Sequence, residues 1–260
     1  MDTERLVEQV FTDQGFDVVR ISEVHDEERA DYRVADSNDS FVIEVKDKFD
    51  AESIIAEYRQ RLADGDVFAR NESTGYKNAV SNVFDKAESQ LAASAESDSE
   101  HRIVWIELAG IDRKLQFQQT MATIYGTVHL LPVGPGVVTK ECYYFTYNVV
   151  HRNPQIDAFI VCDGYSCLLA TNPFSPRFQS LAATKLYGIF ADKDAIVDPV
   201  ALEQAEVIYV ADCAISRRDT QAVLEYLQTK YDVERFLDLQ PVSTTASAEV
   251  KPQSNVYNAK

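Results

Sequence analysis

Nine glycines, eight prolines, four cysteines, two methionines and one tryptophan are few for 260 residues, and each shortage rules something out. Glycine and proline at this level exclude collagen-like and low-complexity chains. The cysteines Cys142, Cys162, Cys167 and Cys213 are scattered through the second half without metal-ligand spacing. They are expected to be reduced core thiols, with a disulfide or a zinc site the minority alternative. His25, His101, His129 and His151 lack any partner spacing, which argues against both a zinc site and a nucleophile-histidine pair. Gly134-Pro135-Gly136 is a turn, and no P-loop or dinucleotide fingerprint is present. No apolar run is long enough to cross a bilayer, and the opening MDTERLVEQVF is charged from residue 2. Neither membrane span nor signal peptide is therefore expected, and a cytoplasmic location is the simplest expectation.

Positive charge is also in short supply. Twenty-five Lys and Arg stand against 42 Asp and Glu, a formal net charge of −17. That balance opposes long-range attraction to polyanions and speaks against a general nucleic-acid coat protein. It leaves room for a nuclease, because a local basic groove and a bound divalent cation overcome repulsion at the site itself.

What is present centres on Ala30 to Lys48, ADYRVADSNDSFVIEVKDK. Ser37-Asn38-Asp39-Ser40 is turn chemistry between Tyr32–Asp36 and Phe41–Lys46, so the stretch reads as an antiparallel hairpin that returns Asp31 to the Glu44 end. Glu44 and Lys46 are two apart on a strand and leave the same face, while Val45 points away. Two acids and an amine thus meet at one strand edge.

The rest of the chain supplies the frame. Leu6, Val7, Val10 and Phe11 follow the helical period after Asp2 or Thr3, and Gly15 ends that helix. Phe16–Glu23 reads as a first strand, His25–Glu28 as an acidic turn, and a helix capped by Asp50 or Ser53 follows the hairpin. Val80, Phe84, Ala87 and Leu91 form a core stripe on the next helix, and Ile103–Leu108 is a buried strand. Later, Arg113–Tyr125 reads as a helix, Cys142–Val150 as a strand, and Ala158–Cys162 with Ser166–Ala170 as a hairpin around Asp163-Gly164-Tyr165. A helix beginning near Pro176, a strand at Val207–Ala211 and a helix at Asp219–Tyr231 follow. From Pro241 the tail has little to bury and is expected to be disordered or held by a partner.

Asp31, then twelve residues, then Glu44-Val45-Lys46 resembles the signature of the PD-(D/E)XK nuclease superfamily. Glu8 on the first helix, Gly15-Phe16 before the first strand and the aspartate heading the second strand occur in the order that family shows. Ala30 departs from it, standing where many members have proline. The resemblance covers roughly residues 1 to 110. It implies an α/β fold, a restriction-endonuclease-like three-layer αβα core with a mixed central sheet, followed by an α/β C-terminal extension. Residues 111–240 would then continue the sheet or recognise substrate, with 241–260 as the tail.

The same resemblance implies an Mg²⁺- or Mn²⁺-dependent nuclease acting on nucleic acid, with DNA the commoner substrate among such families. The residues fit that chemistry: Asp31, Glu44 and the Val45 carbonyl are three hard oxygen ligands, and Lys46 is placed to activate water. Glu8 would hold a metal-bound water, and Lys77 and Gln90 are the candidate helpers from the following helix. Arg217 and Arg218, before the last helix, are candidate phosphate contacts. A homodimer suits double-strand cutting. The alternative is a catalytically inactive relative of this fold that serves as an interaction subunit for a protein partner.

Overall fold

The computed structural model describes residues 3–22, 28–134, 136–239 and 242–248. The expected cap at Asp2, most of the His25–Glu28 turn, Pro135 and the last dozen residues of the tail lie outside those residues. Helix α1 (Thr3–Asp13) turns Val7 and Phe11, four residues apart, onto the core, and Gly15 at φ 75° releases the chain into β1 (Asp17–Arg20). β1, β2 (Tyr32–Ala35) and β3 (Ser40–Lys48) form an antiparallel meander, with Tyr32 opposite Ile43 and Ala35 opposite both Asp17 and Ser40. The turn between β2 and β3 is held by Asp36, whose Oδ1 accepts from the backbone N–H groups of Asn38 and Asp39 at 2.8 and 2.9 Å. Those two bonds hold the Asp36 carboxyl below its ordinary pKa.

Next come α2 (Glu52–Ala63), β4 (Phe68–Ser73), α3 (Asn78–Ser94) and β5 (His101–Leu108). Every residue of β5 is buried, as expected for a strand paired on both sides, here in parallel with β3 and with β8. α4 (Arg113–Tyr125) leads through Gly126 to β6 (Val128–Pro132) and β7 (Lys140–Tyr143), and α5 (Val149–Arg152) leads to the hairpin of β8 (Ala158–Cys162) and β9 (Cys167–Thr171). The chain continues with α6 (Phe178–Leu181), α7 (Lys185–Ala191), β10 (Ile196–Val197), α8 (Pro199–Gln204), β11 (Tyr209–Val210), α9 (Thr220–Tyr231), β12 (Phe236–Leu239) and β13 (Val242–Ser247).

The result is a mixed α/β protein. A seven-stranded sheet runs β1-β2-β3-β5-β8-β9-β10, a four-stranded sheet runs β11-β7-β6-β12, and β13 pairs with β4. One face of the large sheet packs Phe41, Ile43 and Trp105 on Val7 and Phe11 of α1 and Leu186 of α7. The other packs Val42, Val104 and Phe159 on Val80, Phe84, Ala87 and Leu91 of α3. α9 covers one face of the smaller sheet with Val223 and Leu227. Among the described residues no helix is long and apolar enough to cross a membrane.

Five expectations fail. Neither Asp50 nor Ser53 caps α2, which starts from Ala51 without a side-chain cap while the Asp50 carboxylate accepts from Ile111 N–H at 2.7 Å. Cys162 and Cys167 are joined as a disulfide rather than left as reduced thiols, because the tight hairpin sets them directly opposite each other; Cys142 and Cys213 remain free. Cys142–Val150 is not one strand: Tyr144 takes φ 60°, the strand stops at Tyr143, and Val149 begins a short helix capped by Asn148. The link containing Asn71 and Ser73 is strand β4. Residues 242–247 of the expected disordered tail pair antiparallel with β4, from Val242 opposite Ser73 to Ser247 opposite Phe68. Main-chain hydrogen bonding needs no apolar side chains, so the Ser/Thr composition concealed this strand.

Candidate active site

β3 alternates across the large sheet. Ile43 packs on the α1 face, whereas Val42, Glu44 and Lys46 turn to the face covered by α3. Asp31 enters the same place from β2. Its backbone N–H donates to the Ile43 carbonyl at 3.1 Å and its own carbonyl accepts from Ile21 N–H at 2.9 Å, which pins it between two strands. Its Oδ2 then accepts from Val45 N–H at 2.7 Å, continuing the ladder one step past the last β2–β3 pair. A strand residue's N–H and C=O point to the same side, so the Val45 carbonyl also faces beyond the end of β2, beside the Asp31 carboxylate.

Glu44 is 2% exposed. Its Oε1 pairs with Lys46 Nζ, which also donates to Gln90 Oε1 at 2.9 Å. Gln90 Nε2 in turn donates to the Arg29 carbonyl at 3.2 Å, so the amide is oriented from both ends. Burial raises the Glu44 carboxyl to about 7; the neighbouring Asp31 pushes the same way, and Lys46 opposes both. Glu44 Oε2 is buried without a hydrogen-bond partner among the described residues. An orphaned carboxylate oxygen next to a second carboxylate and a strand-end carbonyl is a donor set for a hard divalent cation with water completing its shell. Among the described residues no three His, Cys, Asp or Glu side chains cluster as a metal cage, so the set is two carboxylates and one carbonyl.

Glu8 is exposed on α1, whose buried residues pack on the sheet face opposite Glu44. The Tyr32 hydroxyl, one residue on from Asp31, is raised chiefly by burial and further by Glu4, Glu8 and Asp31, against Arg20. Lys86 was not foreseen. It precedes Gln90 by one helical turn on α3, pairs with Glu28 at 2.9 Å and sits within the field of Glu44. That spacing was the signal for it.

The remaining sequence candidates lie elsewhere. Lys77 sits at the start of α3, where its Nζ is 3.4 Å from Glu72 rather than near Glu44. Arg217 turns inward: its guanidinium donates to the carbonyls of Ala211, Cys213 and Ile215. It is a loop brace with its donors already engaged, not an open phosphate seat. Arg218 Nε donates to Tyr147 OH at 2.9 Å, and the Asp219 carboxylate caps α9 by accepting from Ala222 N–H. That acid occupies the helix N-terminus that a phosphate would need. Of the other basic side chains, Arg177 is buried in an ion pair with Asp157, and Lys185 reaches the Gly15 carbonyl.

Comparison of the chain with family models, with curated proteins and with solved structures found no match.

Proposed function

We propose that the chain is an Mg²⁺- or Mn²⁺-dependent nuclease, with DNA as its substrate, built on a restriction-endonuclease-like core. The observation that carries the proposal is the Asp31–Val45 hydrogen bond, which holds the first acid at the strand end where Glu44 and Lys46 emerge together. The element order supports it: a helix and three antiparallel strands are followed, after α2 and β4, by a helix on the opposite face and a strand parallel to the third, an order compatible with such a core.

Asp31, Glu44 and the Val45 carbonyl would hold the cation, which when bound supplies charge neutralisation for the scissile phosphoryl oxygens and an acidified water. Lys46 lies beside Glu44, placed to hold the attacking water and to stabilise negative charge as it develops there. Gln90 keeps the Lys46 ammonium from swinging away. Lys86 at the rim offers a cation to the phosphate backbone in a molecule that is otherwise strongly acidic.

The test is cleavage of plasmid and single-stranded DNA under Mg²⁺ and Mn²⁺. Wild type is expected to cut, chelator to stop it, and Lys46→Ala to reduce it to background. Equal background cutting by wild type and Lys46→Ala refutes the proposal. The second reading, a non-catalytic interaction subunit, draws on the internal engagement of both acids, Asp31 by Val45 N–H and Glu44 by Lys46. Calorimetric titration with Mn²⁺ separates the two: the nuclease binds the ion and the Asp31→Asn variant does not, whereas an interaction subunit shows no binding in either form.

A further inference from the structure

The four-stranded sheet has two unlike faces. Leu130, Cys142 and Phe236 turn to α9 and make a closed core. By strand alternation, His129 of β6, Glu141 of β7 and Leu239 of β12 turn the other way, and the register sets His129 opposite both Glu141 and Leu239. This second face reaches the core of the large sheet through Tyr143 and its partner Val210. Between it and α4 lies a cavity of about 590 Å³, closed by Leu168 and Val197 at the edge of the large sheet and by the 73–76 loop. Its volume falls within the roughly 300–1,000 Å³ of small-molecule sites.

The lining decides what fits. Tyr76, Phe117, Tyr143 and Tyr147 give aromatic surface and Met121 an adaptable wall, while among the described residues Glu141 is the lone carboxylate and neither lysine nor arginine lines the cavity. Phosphates and carboxylates find no fixed cation there. His129 Nε2 is 3.9 Å from Glu141 Oε1, beyond hydrogen-bond reach. The Glu141 side chain is 43% exposed and is one of the residues that line this cavity. Partial burial raises its carboxyl above the ordinary value, and His129 opposes that shift. Tyr147 is kept at the rim by the bond from Arg218.

We propose that this cavity binds a small organic cation, an alkyl- or arylammonium, with its charged head on Glu141 and its body against the tyrosine and phenylalanine faces. A carboxylate supplies the counter-charge and the rings supply cation–π attraction, with His129 the one ionisable base among the described lining residues. The site is separate from Glu44, and its occupancy does not depend on the nuclease reading.

Choline and benzylamine serve as probes, with dimethylbutanol, the uncharged carbon isostere of choline, as the control. Calorimetry and thermal melting of the full chain are expected to show binding of at least one cationic probe and none of the alcohol. Glu141→Gln keeps the size of the side chain and should weaken that binding at least tenfold. Tyr147→Ala, at an exposed rim position, should weaken it several-fold. Lys46→Ala should bind as wild type does, which keeps this result apart from the fate of the nuclease proposal. The inference is overturned if neither cation binds at tens of millimolar, if the alcohol binds as well as choline, or if Glu141→Gln binds as tightly as wild type.

Discussion

Replacing Glu44 by Gln tests how much the protein sacrifices to keep an acid inside. The Glu44 carboxyl lies at about 7 in the folded chain against an ordinary 4.5, because it is buried and adjoins Asp31. Between those two values the folded state keeps a proton that the unfolded chain has released, so stability falls as pH rises through the interval. Above about pH 7 the loss is complete. At about 1.4 kcal/mol per pH unit, an interval from 4.5 to about 7 amounts to roughly 3 kcal/mol. Glu44→Gln fills the same space with no charge to desolvate, so wild type and variant should be similarly stable near pH 4.5 and diverge by roughly that amount at pH 8, the variant being the more stable. Mg²⁺ should close the gap from the wild-type side, since a cation bound to the ionised carboxylate stabilises the folded state only. The assay is urea denaturation from pH 4.5 to 8, with and without MgCl₂. A gap independent of pH, or equal Mg²⁺ stabilisation of both proteins, refutes the argument.

Three further outcomes are expected. Gln90→Leu removes the acceptor that orients the Lys46 ammonium; by analogy with the outer partners of metal ligands it should lower kcat of DNA cleavage by about 10- to 100-fold with KM little changed, as steady-state kinetics would show. Arg177→Met leaves Asp157, which is 0% exposed, without the guanidinium that pairs with it at 2.8 Å; chemical denaturation should register a loss of about 3–5 kcal/mol. Gly126 takes φ 63° after α4, and a Cβ there would stand 2.6 Å from the Thr146 carbonyl oxygen; Gly126→Ala should cost about 1–3 kcal/mol from the left-handed backbone alone, visible as a lowered Tm.

Much of the candidate site is written in local sequence. The Asn-Asp turn and the two-residue spacing of Glu44 and Lys46 are sufficient to bring Asp31 across, because both are short-range rules of strand geometry. The apolar stripe of α3 is equally legible, and Gln90, three residues after Ala87 and one before Leu91, falls close enough to that stripe to reach Lys46. What the sequence concealed depends on loop conformation and on distant pairing. Arg217 is consumed by carbonyls of its own loop, which no charge pattern reveals. The His129–Glu141 row exists because β6, β7 and β12 pair in one register, and their spacing carries no shared motif. The Cys162–Cys167 bond is an intermediate case: the Asp-Gly-Tyr hairpin signal already placed the two sulfurs on facing strands, while scattered spacing along the chain suggested separate thiols.

The pairing of β13 with β4 joins residues 68–73 to residues 242–247. During translation, at about 5–20 residues per second, β4 leaves the ribosome roughly 10–30 s before the strand that completes it. For that interval the nascent chain carries an open ribbon edge, on which Arg70 and Glu72 act as charged gatekeepers against sticking to neighbouring chains. Thr245 of the late strand then ties this flank to α4 by donating to the Asp112 carboxylate. That flank therefore becomes whole only once the chain has been made through residue 247.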